Sequence, residues 1–371
     1  MNFNQIENVL FQSFTATAQS QGKDSIVPFI WGPPGVGKSA CALEAAHRLA
    51  THLNLKGVLQ LGELPPEGEN PADYFGFFDL RLSQMDGVEM GGFPHPDAVR
   101  QVMTRLIGSW FPHTGRTDLP RYGMLFLDEW TSAPQMVQAG SYQLANDRRL
   151  GEQTLKPEWM VFGAGNRVGD GGVVFKQPLP LSNRLAHFEF ESDADTFMNW
   201  ATVNGTLPAW VTSYLHWRPD NLNTFEQHVK DKLPGHAFAT ERTWHRFATI
   251  SEHCDDSEQL RHWAKAYLGD GIATELIGFR RTWQELVSVQ EVVDDPCHAP
   301  VPQRADVRYA MCGAMAAKAT VDNVGRMLAY LERWDMRPMA TLFMKDALRR
   351  NNQLHTAPEF ARWAAEFCNS L

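Results

Sequence analysis

Gly32-Pro33-Pro34-Gly35-Val36-Gly37-Lys38-Ser39 spells a complete G-x-x-x-x-G-K-S loop. It follows the apolar run Ile26-Val27-Pro28-Phe29-Ile30-Trp31 and opens into Ala40-Cys41-Ala42-Leu43-Glu44-Ala45-Ala46, a strong helix former. Strand, loop and helix in that order give the pattern its physical meaning. The glycines let successive backbone N–H groups turn inward around a phosphate, and the helix N-terminus adds a favourable dipole. Gly32, Pro33, Pro34, Gly35, Val36, Gly37, Lys38, Ser39 and Ala40 are therefore expected to cradle ATP or GTP. Lys38 is placed to reach the β- and γ-phosphates, and the Ser39 hydroxyl to join a Mg²⁺ shell.

Ninety residues beyond Lys38, Met124-Leu125-Phe126-Leu127 is fully apolar and ends in Asp128-Glu129. Such a run reads as a buried parallel strand. Its end presents both acids at the carboxyl edge of the sheet, where open α/β sheets hold their ligands. Asp128 suits a grip on Mg²⁺, and Glu129 suits polarising an attacking water.

The rest of the chain sets bounds. At 371 residues it has length for two or three domains, each with its own core. Hydrophobic content of 43% and charged content of 21% are ordinary for a globular protein. A net charge of −9 disfavours a generalised nucleic-acid surface, and the pairs Arg148-Arg149, Arg280-Arg281 and Arg349-Arg350 are scattered. The five cysteines, Cys41, Cys254, Cys297, Cys312 and Cys368, form no C-x-x-C pair. His253-Cys254 and Cys297-His298 are adjacent residues, a poor spacing for one tetrahedral zinc. Met1-Asn2-Phe3-Asn4 lacks a basic leader, and no uncharged apolar stretch reaches membrane-spanning length. The expectation is a reduced, cytoplasmic protein without a membrane segment.

Along the chain, residues 5–20 read as an amphipathic helix and Asp79-Leu80-Arg81-Leu82 as a short strand. From Ser83 to Pro120 the elements are short, broken by Gly91-Gly92, Pro94, Pro96, Pro112 and Pro120. Residues 134–149 read as helix, Trp159-Met160-Val161-Phe162-Gly163-Ala164 as a second buried strand, and His187-Phe188-Glu189-Phe190-Glu191 as a last one. Beyond residue 192 helical periodicity takes over. This order implies a parallel α/β sheet domain followed by a helical one. Val292-Val293-Asp294-Asp295-Pro296 is expected to be a linker and Arg304 to Glu332 a helix, with Leu328, Leu331, Trp334 and Leu342 as core.

Loop, acidic doublet, strand-end polar residue and helical tail together resemble the AAA+ ATPases over roughly residues 5–290. The resemblance implies a P-loop NTPase core at 1–191, an all-helical lid at 192–290 and a helical C-terminal extension at 291–371. It implies that Asn166, closing Gly163-Ala164-Gly165-Asn166-Arg167, aligns water between the γ-phosphate and Glu129. In Gln177-Pro178-Leu179-Pro180-Leu181-Ser182-Asn183-Arg184-Leu185 it implies an arginine finger at Arg184, with Arg167 as competitor, acting on the neighbouring subunit's nucleotide. In Phe238-Ala239-Thr240-Glu241-Arg242-Thr243-Trp244 it implies a second sensor, Arg242, on a lid helix capped by Thr240. Many relatives carry Pro at the position of Glu241.

Within the AAA+ proteins the chain resembles the MoxR family, in the clade with an insert in the second helix. The carriers are Asp79 to Gln84 with the Gly/Pro-broken stretch after it, Asp128-Glu129-Trp130-Thr131-Ser132-Ala133-Pro134, Gly163 to Arg167 and Leu179 to Arg184. This resemblance implies ATP and Mg²⁺ as cofactors, a hexameric ring that remodels or matures a protein client, and a partner with a von Willebrand factor A (VWA) domain. The insert at Met85 to His95 and a hairpin at Leu150 to Leu155 would project toward the pore or partner, or be plain surface loops. Two rivals stand beside this reading. One is a nucleic-acid motor or loader, against the acidic balance; the other is an ATP-stabilised scaffold with little turnover, against the intact Asp128-Glu129 pair.

Overall fold

Residues 1–23, 26–170, 174–175, 177, 179–231, 236–254, 256–334 and 336–367 are described in the computed structural model; Pro178 and Cys368 lie outside them. The chain forms two compact units, Met1–Glu191 and Ser192–Leu371.

The first unit begins with helix α1 (Phe3–Gln19), strand β1 (Pro28–Trp31) and helix α2 (Lys38–His52). It continues through β2 (Val58–Gln60), β3 (Phe75–Arg81), the short helix α3 (Gly87–Gly91), β4 (Phe93–Asp97) and β5 (Val102–Leu106). Then follow β6 (Tyr122–Asp128), α4 (Gln135–Asp147), β7 (Arg149–Leu150), β8 (Gln153–Thr154), β9 (Trp159–Gly165), α5 (Leu179–Ser182) and β10 (Ala186–Glu189). Six of these strands form one sheet in the order β10-β1-β9-β6-β3-β2, parallel throughout.

The central strands are apolar on both faces because helices cover both. Side chains alternate across a strand. Met124 and Phe126 of β6 therefore join Ile6, Phe14, Ala42, Ala45 and Leu49 beneath α1 and α2, while Leu125 and Leu127 face Trp130, Val137, Leu144 and Trp159. The small residues Ala42, Ala45 and Ala46 let α2 lie close on the sheet. The same alternation puts Asp128, two positions beyond Phe126, on the α2 face. Asp79, two beyond Phe77, falls there as well.

Strand β3 begins at Phe75, four residues before the expected strand, and the edge strand β2 has no apolar run to announce it. The insert expected at Met85 to His95 is instead the short helix α3 and the first half of β4, and β4 goes on to form an antiparallel hairpin with β5, paired from Phe93↔Leu106 to Asp97↔Val102. Phe93, Val99, Met103 and Leu106 are exposed on it. Pro94 and Pro96 lie within β4. By contrast β7–β8 is anchored, since Leu150 and Leu155 are both 1% exposed in the core. Beside it the buried Arg148 guanidinium donates to the carbonyls of Lys156 at 2.8 Å and Trp159 at 2.6 Å.

The second unit is helical: α6 (Ala194–Val203), α7 (Ala209–Trp217), α8 (Phe225–Lys230), α9 (Glu241–Ser251), α10 (Ser257–Leu268) and α11 (Asp270–Gln284). Then come α12 (Val289–Asp294), α13 (Ala305–Ala316), α14 (Val324–Glu332), α15 (Arg337–Arg350) and α16 (Pro358–Phe367). One core gathers around Trp210, Tyr214, Trp244 and Phe247, another around Met311, Tyr330, Phe343 and Trp363.

Two expectations are corrected here. Residues 292–294 end a helix, because Val289 and Val292 are buried. The helix expected over 304–332 breaks after Ala316, where Asn323 bonds backbone instead: its Oδ1 accepts from Thr320 N at 2.7 Å and its Nδ2 donates to Lys318 O at 3.1 Å. Leu328, Leu331 and Trp334 are buried, and Leu342 packs half-buried against the same core.

Candidate nucleotide site

The loop of residues 32–37 leaves β1 and turns through Gly35 (φ 83°) and Gly37 (φ 96°), backbone that L side chains rarely adopt. At Gly32 a Cβ would sit 2.9 Å from the Phe190 carbonyl, so only glycine lets the loop pass the end of β10. Gly37 caps α2 without a side-chain bond. The first amides of an α-helix have no partner within it, which makes the start of α2 a ready site for an anion. The Lys38 ammonium donates to Gly32 O at 2.7 Å, Pro33 O at 2.9 Å and Asn166 Oδ1 at 3.0 Å. It thus lies across the loop and touches the end of β9.

The strand-end acids divide the work. Ser39 Oγ donates to Asp128 Oδ2 at 3.0 Å, as the face-by-face alternation requires. A hydroxyl beside a carboxylate is an oxygen donor set fit for a hard divalent cation such as Mg²⁺. Asp128 Oδ1 accepts from Glu129 N at 2.8 Å. Glu129 itself sits at φ 54°, ψ 30°, a left-handed conformation costly for a glutamate and of a kind that collects at functional sites. Its carboxylate accepts from the Ser83 hydroxyl, just past β3.

Asn166 is held by a two-way bracket. Its N–H donates to Thr131 Oγ1 at 3.1 Å, and the Thr131 hydroxyl donates to Asn166 O at 3.2 Å. Room for that bracket comes from two glycines on β9. A Cβ on Gly163 would sit 2.2 Å from the Trp130 ring, and one on Gly165 would sit 2.6 Å from Thr131.

Three residues here were read only as parts of a strand or a family motif and given no place in the site: Ser83, Thr131 and Asp79. Asp79 lies on the α2 face, and its Oδ1 is buried with no hydrogen-bond partner. Burial, then the Asp128 charge, pushes its carboxyl up to about 6, and Arg81 offsets only part of that. The one sequence signal was an acid inside an apolar strand.

The arginines fall elsewhere. Arg184 is exposed, donates to Pro180 O at 2.8 Å and to the Tyr142 hydroxyl, and lies 4.9 Å over the Tyr142 ring. Arg167 pairs with Glu189 at 3.3 Å and Asp170 at 3.7 Å. Neither bonds the phosphate loop or the Asp128–Glu129 pair among the described residues. Arg242 is the exposed second residue of α9, in the second unit.

No family model and no curated protein matches the chain. Among solved structures it is similar to a point mutant of Thermotoga maritima RuvB at 13% identity, covering 85% of this chain and 82% of that one, with a TM-score of 0.31. It is similar to NtrX from Brucella abortus in complex with ATP at 12% identity, covering 97% and 67%, with a TM-score of 0.29. Likeness to C. elegans PCH-2 stands at 9% identity, 95% and 69% coverage and a TM-score of 0.33. These likenesses are distant, and the sheet order and loop geometry stand on their own. By them the chain has an α/β phosphate-loop NTPase fold, a parallel sheet between helices followed by a helical unit.

Proposed function

We propose that this chain is an AAA+ ATPase of MoxR type that hydrolyses ATP with Mg²⁺ at the subunit interfaces of a hexameric ring. The observation that carries the reading is the convergence of Lys38, Ser39, Asp128, Glu129 and Asn166, from three separate segments, at one edge of the sheet. Residues 32–40 hold the phosphates, and Lys38 turns from the loop carbonyls to the β- and γ-phosphates as ATP enters. Ser39 and Asp128 would hold Mg²⁺, which when bound neutralises phosphate charge. Glu129 takes the proton of the attacking water and Asn166 orients that water. Arg184, exposed and held by Tyr142 and Pro180, reaches the neighbouring subunit's nucleotide. Arg242 meets the phosphates from a lid at 192–290, and residues 291–371 form a separate extension. The exposed apolar hairpin β4–β5 supports the further reading that the ring engages a protein client and a VWA-domain partner.

The test is a Glu129→Gln variant. It should bind ATP like the wild type, lose hydrolysis by at least about a hundredfold, and shift in ATP–Mg²⁺ to the mass of a ring by light scattering. Undiminished hydrolysis would remove Glu129 from its role, and a monomer in saturating ATP would count against the interfacial site.

A further inference from the structure

Glu241 is an acid where the helix start does not need one. It opens α9 and is 7% exposed. The N-terminus of α9 is already closed by a capping box between Thr240 and Thr243. Proline would serve equally at this first helical position. A buried carboxylate is tolerated only when its oxygens are satisfied, and here each has one partner. Oε1 accepts from the Ser192 hydroxyl, and Oε2 accepts from Asn223 Nδ2 at 3.0 Å.

Both partners mark structural junctions. Ser192 is the first residue of the second unit, and its neighbour Asp193 caps α6 by accepting from Thr196 N at 2.7 Å. Asn223 lies in the segment before α8, which is itself bound to the approach to α9. Thr224 N donates to Ala239 O at 3.0 Å, Ala239 N to Thr224 Oγ1 at 3.1 Å, and Trp244 Nε1 to Asn221 O at 2.9 Å. The carboxylate therefore joins three things: the entry of the chain into this unit, the loop ahead of α8, and the first turn of α9. The next residue on that turn is Arg242.

We propose that Glu241 is a positioning residue that ties the chain entry at Ser192 to the start of α9, so that the path of the entering chain sets the aim of Arg242. This rests on the reading that Arg242 meets the nucleotide. Burial holds the Glu241 carboxyl above the usual range, and the bonds from Ser192, its own backbone and Asn223 offset part of that.

The experiment is a double-mutant cycle on the full chain, reading ATP affinity and turnover separately. Ser192→Ala is the mild member, since Ser192 is exposed apart from its bonded hydroxyl; Glu241→Gln and Arg242→Ala complete the set. Ser192→Ala and Glu241→Gln should each lower ATP affinity or turnover by about threefold to tenfold, with little further loss when combined with Arg242→Ala. Thr240→Ala, which removes the cap alone, should lower the melting temperature and multiply independently with Arg242→Ala. The tether is overturned if Ser192→Ala and Glu241→Gln behave as wild type, or if their losses multiply in full with that of Arg242→Ala. A wild-type chain that binds no nucleotide would instead sink the functional reading, and the tether with it.

Discussion

Lys38 and Asn166 stand 128 positions apart in the chain and share a 3.0 Å hydrogen bond, ammonium to amide oxygen. The bond joins the phosphate loop after β1 to the end of β9, its neighbour in the sheet. In the proposed ATPase the two groups would separate on ligand binding, the ammonium moving to phosphate and the amide left to face water. Their loss should therefore read differently. Lys38→Ala is expected to weaken ATP binding at least about tenfold, by loss of a charge-assisted contact. Asn166→Ala should leave affinity within about twofold and cut turnover about a hundredfold, the scale of one lost transition-state contact. Fluorescent-nucleotide titration and phosphate release measure the two effects, and equal loss of affinity in both variants would contradict the division.

Gly163 is a packing requirement next to the proposed catalytic Glu129. An added methyl meets the Trp130 ring at 2.2 Å, and Trp130 follows Glu129 directly. Gly163→Ala should destabilise the protein by about 1–3 kcal/mol, the usual cost of overpacking. It should also lower hydrolysis more than ATP binding, because the displaced indole carries Glu129 with it. Urea unfolding and steady-state kinetics on one preparation check both parts.

Asp79 gives a pH signature. In the folded chain its carboxyl is held up at about 6, against 3.8 for an unhindered one. The folded state therefore keeps this proton more tightly than the unfolded state does. Its contribution to stability is full below pH 3.8 and is lost as pH rises through about 6. Above that, the folded protein bears a partly buried charge beside Asp128. Asp79→Asn should raise stability at pH 8 by about 1–2 kcal/mol, discounted for partial solvent screening. The gain should vanish near pH 3.5. Urea titrations of the nucleotide-free protein across that range decide it, and a gain independent of pH would reject the cause.

Arg184 should be dispensable to its own chain's site and needed by its neighbour's. Arg184→Ala alone is expected to lose most hydrolysis. Mixed with Glu129→Gln, which lacks turnover but keeps its arginine, it should recover part of the activity at interfaces that pair an intact Glu129 with an intact Arg184. If the mixture stays inactive while both variants still assemble, Arg167 becomes the better candidate.

How much of this was legible in the sequence depends on whether the signal is local. The phosphate loop, Asp128-Glu129 and Asn166 each close an apolar run, so a reader of one segment can see them. Asp79 and Ser83 could not be seen this way. They matter because β3 lies beside β6 with Arg81 opposite Asp128, a pairing across forty-seven positions that no local pattern records. Gly163 and Gly165 make room for Trp130 and Thr131, neighbours that no local pattern names. The helix expected over 304–332 failed for a local reason: helical periodicity continues on both sides while Asn323 diverts the backbone between them.

The two prolines of β4 have a consequence for assembly. Residues two apart in a strand turn their N–H groups to the same side. Pro94 and Pro96 thus leave one side of β4 without donors at two successive positions, and the intact pairing with β5 places that side outward. Another chain cannot zip onto it as a further strand. Phe93, Met103 and Leu106 stay exposed on the hairpin, and a further strand could add only along β5, which carries no proline. Whatever grips the β4 side must read side chains rather than backbone.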